Sequence, residues 1–310
     1  MARVVFLGTP GFAVPILSAL HGQHEVLAVI TQPDQPGGRG RQELCVPPVK
    51  AWAAPRGLMV LQPDRLCRDK QTLGIIRDLK PDVLILAAYG QILRQSVLSI
   101  APHGCIGVHA SLLPRLRGAA PIATAILRGE TQTGISLMLT DAGMDTGPVI
   151  ARSVVQISST ETTSSLTDKL AISGAEIVLN CLPEWLSGEI IPVTQDDRLA
   201  TLAPPLKKEQ GALDWSLSAV ELDRFVRALN PWPGTFTHHA GDIFKVLEAA
   251  PFTDVRLDHQ PGCVVSISQG IGVTTGQGVL LLTSVQPAGK RAMSAVDYAR
   301  GHRDFIGAIL

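Results

Sequence analysis

The chain has 310 residues, of which 45% are hydrophobic and 17% charged, and its 27 Lys and Arg balance its 27 Asp and Glu. This length predicts about two domains, and the neutral charge argues against a protein that chiefly coats nucleic acid. The five cysteines show no CxxC spacing, which indicates reduced thiols. No apolar run approaches the roughly 18 residues that span a bilayer, and no targeting peptide precedes the first strand. We therefore expect a cytoplasmic protein without a membrane segment.

The first part of the chain alternates short β-branched runs with amphipathic stretches, which predicts an α/β fold with a parallel sheet covered by helices. The predicted strands are Arg3–Leu7, Val26–Thr31, Asp82–Ala87, Cys105–His109 and Gly134–Leu139. The predicted helices are Phe12–Leu20, Val49–Arg56, Asp69–Leu79, Ala120–Arg128 and Leu166–Leu186. Between the second strand and the next helix, Gln32–Val46 is polar, rich in Gly and Pro, and too long for a routine connection. It is therefore either functional or mobile.

The composition changes after Gly188, where prolines replace large apolar residues. We predict a first domain over 1–189, a linker over 190–205 and a second domain over 206–310. The second domain begins with an amphipathic helix, Ala219–Leu229. Five short strands with Gly-rich turns then predict a small β-barrel; they are Thr235–His239, Ile243–Ala249, Gly262–Ser268, Ile271–Thr275 and Val279–Val285.

The turn Gly8–Ala13 joins the first strand to the first helix, where a dinucleotide fold would carry GxGxxG. The spacing here differs, Pro10 removes an amide donor, and no acid ends the second strand. Nucleotide binding, and with it an NAD-dependent dehydrogenase, is disfavoured. A tight turn that packs strand against helix explains the glycines better.

Two arginines, Arg39 and Arg41, lie among glycines in the long polar segment. A guanidinium suits phosphate because it donates hydrogen bonds in pairs. A solvated surface loop explains the same composition, and from these residues alone it is favoured.

His109 ends a predicted strand, at the edge where open α/β sheets form their ligand crevices. Asp145 lies in a glycine-flanked turn between two later strands. The two side chains could form a proton-handling pair in which the carboxylate orients the imidazole; a core histidine and a turn-forming aspartate are the alternative. A nucleophilic Ser111 is disfavoured because no strand–elbow–helix signature surrounds it. We expect no metal site, since the other histidines are scattered and His238 and His239 face opposite sides of a strand.

Several of these segments together resemble the folate-dependent formyltransferases: the Ser111–Pro114 run, the strand ending in His109, the Asp145–Gly147 turn and Ala88–Leu93. Other segments resemble the branch of that family that acts on methionyl-tRNA. These are Thr31–Asp34 with the Gly38–Gly40 loop, Arg117–Ile122, Asp214–Ser216, Arg227–Gly234 and Gln286–Ser294. The likeness runs nearly end to end.

The resemblance implies a Rossmann-like, mostly parallel sheet with helices on both faces, followed by an OB-like C-terminal barrel. It implies a monomeric transferase that moves the formyl group of 10-formyltetrahydrofolate to the α-amine of methionine on initiator tRNA, for translation initiation. His109 would protonate or stabilise the tetrahedral oxyanion, and Asp145 would tune His109 and relay the proton of the amine. The folate side would be lined by Ser111, Leu112, Leu113, Pro114, Tyr89, Gln91, Ile92 and Asp141. The tRNA would contact Arg39, Arg41, Lys207 and Lys208.

One departure from the family pattern falls at the reaction site. Gly107 stands where the family carries an asparagine, two residues before His109 and on the same face of the strand. Loss of one oxyanion donor costs on the order of 10²–10³ in rate, so an asparagine restored at 107 should recover that factor unless the loss is compensated. Gly11 and Leu116 are lesser departures, where the family usually has an acid and a tryptophan.

Two alternatives therefore stay open at this point: a formyltransferase for a sugar or another small amine, and a tRNA- or folate-binding relative with impaired catalysis. Residues 205–310 carry ten Lys and Arg against ten Asp and Glu. Because that region has no net charge, tRNA binding requires a one-sided arrangement of cations. The expected members are Lys207, Lys208, Lys290, Arg291 and the Arg39 loop.

Overall fold

The computed structural model describes residues 1–37, 43–253 and 258–310. The chain forms two compact units. The first comprises Met1–Pro121, Gln132–Gln156 and Thr167–Ala203, and the second comprises Ile122–Thr131, Ile157–Leu166 and Pro204–Leu310. Two segments that precede the predicted linker thus belong to the second unit. Most of the predicted linker, up to Ala203, belongs to the first. The division at 189 and 205 stays a prediction.

The first unit is built on a seven-stranded sheet. Its strands are β1 (Arg3–Gly8), β2 (Glu25–Ile30), β5 (Val60–Leu61), β6 (Val83–Ala87), β7 (Cys105–His109), β8 (Gln132–Leu139) and β9 (Val149–Gln156). The order across the sheet is β5-β2-β1-β6-β7-β8-β9. The strands β5, β2, β1, β6 and β7 run parallel to one another. Strand β8 is antiparallel to β7, and β9 is antiparallel to β8. The predicted mostly parallel α/β fold is confirmed.

Helices cover both faces of this sheet, so its central strands are buried. The residues of β1 show how the sequence suits such a strand. Its residues Val4, Val5, Phe6 and Leu7 have no exposed surface, so neither face meets water. The helices of the chain are α1 (Ala13–Gln23), α2 (Pro48–Ala53), α3 (Lys70–Asp78), α4 (Gln95–Leu98), α5 (Pro121–Leu127), α6 (Thr163–Ser187), α7 (Ala219–Leu229) and α8 (Ala295–Gly301). Within the described residues, no helix combines the length and apolarity needed to cross a membrane.

The turn after β1 is a packing feature. A Cβ on Gly8 would lie 2.7 Å from a ring carbon of Phe6, 2.8 Å from the Ala13 Cβ and 2.9 Å from the Ala87 carbonyl oxygen. Real Cβ atoms do not approach so closely, so only glycine lets the start of α1 and the end of β6 pack against this strand. The geometry agrees with the tight-turn interpretation.

The long polar segment after β2 contains a short hairpin of β3 (Gln35–Gly37) and β4 (Glu43–Cys45). Its base is fixed by Asp34, whose carboxylate accepts from Lys50 Nζ at 2.6 Å and from Gln62 Nε2 at 2.8 Å. The hydrogen bonds from Lys50 and then Gln62 hold the pKa of Asp34 below its usual value. Arg39 and Arg41, which fall between β3 and β4 in the sequence, lie outside the described residues.

The second unit contains a six-stranded antiparallel sheet, consistent with the predicted barrel. Its strands are β10 (Thr235–His239), β11 (Asp242–Phe252), β12 (Val264–Ile267), β13 (Gly270–Thr274), β14 (Val279–Pro287) and β15 (Met293–Ser294). The order is β10-β11-β14-β13-β12, with β15 beside β14. Phe244, Val273, Val285 and Phe305 are at most 1% exposed and lie in one apolar cluster with helix residue Leu222.

Helix α7 begins with a capping box that the sequence encodes as Ser-x-x-Glu. Ser218 Oγ accepts from the Glu221 amide, and the Glu221 carboxylate accepts from the Ser218 amide at 2.9 Å. The bonds from the Ser218 hydroxyl and amide hold the pKa of Glu221 below its usual value. This stabilisation is therefore present above the ordinary Glu pKa and is lost as the pH falls through the lowered one.

Ser218→Ala should lower the free energy of unfolding by about 1 kcal/mol at neutral pH, because the Glu221 amide loses its acceptor and the Glu221 carboxylate loses the hydroxyl donor. Urea denaturation followed by circular dichroism measures the effect, and it should shrink as Glu221 is protonated. Ser159→Ala, at an exposed turn, is the control. Equal stability of Ser218→Ala and the parent at pH 7 would contradict the capping assignment.

Candidate active site

His109 ends β7 with both ring nitrogens engaged, and its side chain is 9% exposed. Nε2 lies 3.0 Å from the carbonyl oxygen of Leu116. A carbonyl oxygen only accepts, so in this arrangement Nε2 carries a hydrogen and donates it. The ring plane is therefore set by main-chain atoms of the loop that follows the strand.

Asp145 faces the other side of the same ring. Its Oδ2 lies 3.5 Å from His109 Nδ1 and accepts from the Gly118 amide at 2.8 Å. Asp145 has a φ of +57°, in the left-handed region that non-glycine residues adopt at a cost of order 1–3 kcal/mol. The turn thus holds a strained residue whose carboxylate is directed at His109, and the predicted pair is brought together.

The Ser111–Pro114 run lies in the loop between His109 and Leu116, and hydrogen bonds fix the shape of this loop. Ser111 Oγ donates to the Arg115 carbonyl at 2.6 Å. Ser136 Oγ, on β8, donates to the Ser111 carbonyl and accepts from the Leu113 amide. These bonds shape the loop so that the carbonyl of Leu116 returns to His109.

The other members of this run differ in exposure. Leu113 is 1% exposed and packs with Met138 and Val149, and the Leu113–Pro114 peptide is cis. Leu112 and Pro114 are half-buried. Contacts from this run to a ligand would therefore come chiefly from the half-buried side chains and the backbone.

The Tyr89–Leu93 segment follows β6, beside the end of β1. Tyr89 is 1% exposed, so its contribution to a ligand would come from the backbone. Gln91 is committed to the protein: its amide donates to the Asp64 carbonyl at 3.0 Å and its Oε1 accepts from the Leu66 amide at 2.9 Å. Ile92, by contrast, is 83% exposed and is the apolar side chain this segment presents.

Asp141 shapes the turn that holds Asp145. Its Oδ1 accepts from the Gly143 amide at 3.0 Å and from Thr146 Oγ1 at 2.8 Å. Met144, between them, is 61% exposed. The turn therefore presents an apolar tip while its polar groups satisfy one another.

Gln195 is a site-shaping residue that the sequence analysis did not identify. Its Nε2 donates to the carbonyls of Asp145 at 2.8 Å and Gly147 at 2.7 Å, and its Oε1 accepts from Nε and Nη2 of the buried Arg117. Arg117 also pairs with Asp197 at 2.8 Å. A lone glutamine in a polar stretch carries no sequence signal, because its partners are distant backbone carbonyls.

Gly107 lies between His109 and Cys105 on one face of β7, opposite Met138 of β8. A Cβ at this position would lie 2.9 Å from Thr140 Oγ1 and 3.1 Å from Met138 Cε. The space that a side chain at 107 would enter is thus already occupied by the Thr140 hydroxyl. An asparagine there requires Thr140 to move.

The predicted tRNA contacts in the second unit, Lys207 and Lys208, are both exposed at the start of a short 3₁₀ turn. Among the described residues, no group of three or more His, Cys, Asp or Glu side chains is arranged to hold a metal ion.

Family models match both halves of the chain. The model for formyl transferase covers residues 2–182, and the model for its C-terminal domain covers residues 205–303. The chain belongs to the formyl transferase family. The family predicted from the sequence is thereby confirmed.

Curated relatives match the chain over nearly its whole length. The methionyl-tRNA formyltransferase of Myxococcus xanthus is 47% identical over 97% of this chain and 95% of its own. That of Chloroflexus aurantiacus strain J-10-fl is 45% identical over 98% of both.

Among solved structures, HypX from Aquifex aeolicus with tetrahydrofolic acid aligns at a TM-score of 0.68 and 18% identity, over 98% of this chain and 48% of that chain. An N-formyltransferase from Helicobacter canadensis, with folinic acid and dTDP-3-aminofucose, aligns at 0.67 and 15% identity, over 93% of this chain and 100% of that chain. These two likenesses show the fold.

Gln195→Ala should lower the free energy of unfolding by about 2–3 kcal/mol, because two carbonyls of the Asp145 turn and the buried Arg117 each lose a partner. Chemical denaturation measures the change. Gln71→Ala, on the exposed face of α3, is the matched control. A stability equal to that of the control variant would mean that Gln195 does not hold the turn.

Proposed function

We propose that the chain transfers the formyl group of 10-formyltetrahydrofolate to the α-amine of methionine carried by initiator methionyl-tRNA. The observation that carries this proposal is the match to methionyl-tRNA formyltransferases along nearly the whole chain, at 47% identity over 97% of its residues. That match extends through the second unit.

The geometry of His109 and Asp145 supports the chemistry of this transfer. The formyl donor is a substrate, and it supplies the carbonyl carbon that the amine attacks. Negative charge then develops on the carbonyl oxygen, and a positioned N–H or O–H group stabilises it. His109 is the donor we assign: its Nε2–H turns from the Leu116 carbonyl to the formyl oxygen when the folate binds, while Asp145 holds Nδ1. The His109–Asp145 pair takes up the proton that the amine loses, and the carboxylate stabilises the resulting positive charge on the imidazole. The proton then passes to N10 of the folate as the bond between the formyl carbon and N10 breaks, which releases tetrahydrofolate.

Two loop tips supply the kind of surface that a folate ring system needs. Ile92 is 83% exposed after β6, and Met144 is 61% exposed in the Asp141–Asp145 turn. An aromatic pterin binds where apolar side chains flank a few fixed polar groups. Main-chain groups of the Tyr89–Ile92 segment and of the Asp141–Asp145 turn, with the Ser111–Pro114 run, are the contacts we assign to the donor.

The tRNA contacts that we propose are cationic groups on exposed segments. Lys207 and Lys208 are exposed. Arg39 and Arg41 fall between β3 and β4 in the sequence. Since residues 205–310 have no net charge, these local cations must supply the attraction to phosphate.

The parent protein, supplied with radiolabelled 10-formyltetrahydrofolate, should formylate initiator methionyl-tRNA and leave a dTDP-amino sugar unmodified. Arg39→Ala should raise the KM for tRNA by about tenfold, because a charge-assisted contact to phosphate is lost. Arg77→Ala, an exposed arginine at the end of α3, is the matched control.

Labelled amino sugar with no labelled tRNA would instead establish the small-amine formyltransferase. Transfer to neither acceptor, in the parent and in Gly107→Asn alike, would leave a folate- or tRNA-binding relative without catalysis and would overturn the proposal.

A further inference from the structure

The vacancy that Gly107 leaves beside His109 is filled by a hydroxyl from the neighbouring strand. In the antiparallel register, Gly107 pairs with Met138 and His109 with Ser136. Residues directly opposite one another point to the same face. Thr140 lies two residues beyond Met138 and so shares the face of Gly107 and His109. Its amide donates to the Cys105 carbonyl at 2.8 Å, which continues this register past the end of β8.

The position of the hydroxyl matches the reach of an asparagine side chain. Thr140 Oγ1 lies 2.9 Å from the point where a Cβ of residue 107 would be. The amide nitrogen of an asparagine lies two covalent bonds beyond its own Cβ, which is a similar span. Thr140 Oγ1 thus lies about as far from the Cβ position of residue 107 as the donor nitrogen of an asparagine at 107 would.

This hydroxyl is also free to donate. Across residues 1–37, 43–253 and 258–310, Thr140 Oγ1 is one of five buried side-chain polar atoms without a hydrogen-bond partner of ordinary geometry. Buried polar groups rarely stay unpaired, because the lost hydration is not compensated. Such an atom beside a reaction site is explained by a partner that arrives with the substrate.

The Cys105 thiol is the group that could compete for this hydroxyl. Burial raises the pKa of Cys105 to about 12 even though the neighbouring Thr140 hydroxyl opposes this shift, so the two groups are close. A neutral thiol is a weak hydrogen-bonding partner. The O–H of Thr140 can therefore turn to a stronger acceptor when one is bound.

We propose that Thr140 is a catalytic residue of this chain: its hydroxyl donates to the formyl oxygen in place of a side chain at position 107. The inference rests on the proposed function. The formyl oxygen then has a second hydrogen-bond donor despite Gly107, because Thr140, directly after β8, supplies it instead of a side chain on β7. His109 and Thr140 then donate to the oxygen from two adjacent strands.

Thr140→Val removes the hydroxyl and keeps the shape, and it should lower kcat by about 100-fold. The KM for 10-formyltetrahydrofolate should rise by no more than about fivefold, and the KM for methionyl-tRNA should change by less than about threefold. Thr140→Ser keeps the hydroxyl and should stay within about fivefold of the parent. The matched control is Thr133→Val: the Thr133 hydroxyl on β8 is likewise buried and without a partner among the described residues, but it lies on the opposite face. That variant should keep the parent kcat.

Asparagine at 107 gives the complementary test. Gly107→Asn alone should raise kcat by less than about tenfold, because the parent already has its donor and Thr140 blocks the new side chain. Combined with Thr140→Ala, which removes both the hydroxyl and the crowding, the same asparagine should restore kcat to near the parent value. An unchanged kcat in Thr140→Val, or a gain of about 10²–10³ from Gly107→Asn alone, would overturn the inference.

Folate binding tests this inference separately from the proposed function, because the measurement needs no amine substrate. Thr140→Val should weaken binding of 10-formyltetrahydrofolate by about fivefold and leave tetrahydrofolate, which lacks the formyl oxygen, unchanged. Tryptophan fluorescence reports both dissociation constants. This difference is expected even if methionyl-tRNA proves not to be the acceptor. Equal weakening of both ligands would show that Thr140 only shapes the pocket and would refute the assignment.

Discussion

The carboxylate of Asp145 joins two loops at the candidate active site. Oδ2 accepts from the Gly118 amide at 2.8 Å and faces His109 Nδ1 at 3.5 Å. The same loop that supplies Gly118 also supplies the carbonyl of Leu116, which accepts from His109 Nε2. The imidazole is therefore fixed from both sides by a closed arrangement. Asp145 has a strained φ of +57°, and its carbonyl accepts a hydrogen bond from Gln195.

The sheet explains why these groups can meet. Parallel strands β1, β6 and β7 end at one edge, so the segments that follow them gather there. Antiparallel β8 and β9 then bring the Asp145 turn back across β7. The same antiparallel pairing places Thr140 beside Gly107, so a donor lost from one strand can be supplied by the next.

Much of this arrangement is predictable from the sequence, for physical reasons. Cys105–His109, Ala219–Leu229 and Thr235–His239 are predicted with their exact bounds, because apolar periodicity and Gly or Pro boundaries agree there. The β3–β4 hairpin is not, since its Gly- and Pro-rich residues lack alternation. Gln195 and Thr140 were missed because their roles depend on partners far away in sequence, which no local pattern encodes.

We assign formyl transfer to methionyl-tRNA to the His109–Asp145 pair. Single-turnover transfer by Asp145→Asn tests this assignment most directly, since asparagine keeps an acceptor for the Gly118 amide but removes the negative charge facing the imidazole. We expect the rate to fall by about 10²–10⁴ while folate and tRNA dissociation constants stay within about threefold. A single-turnover rate equal to that of the parent would contradict the assignment.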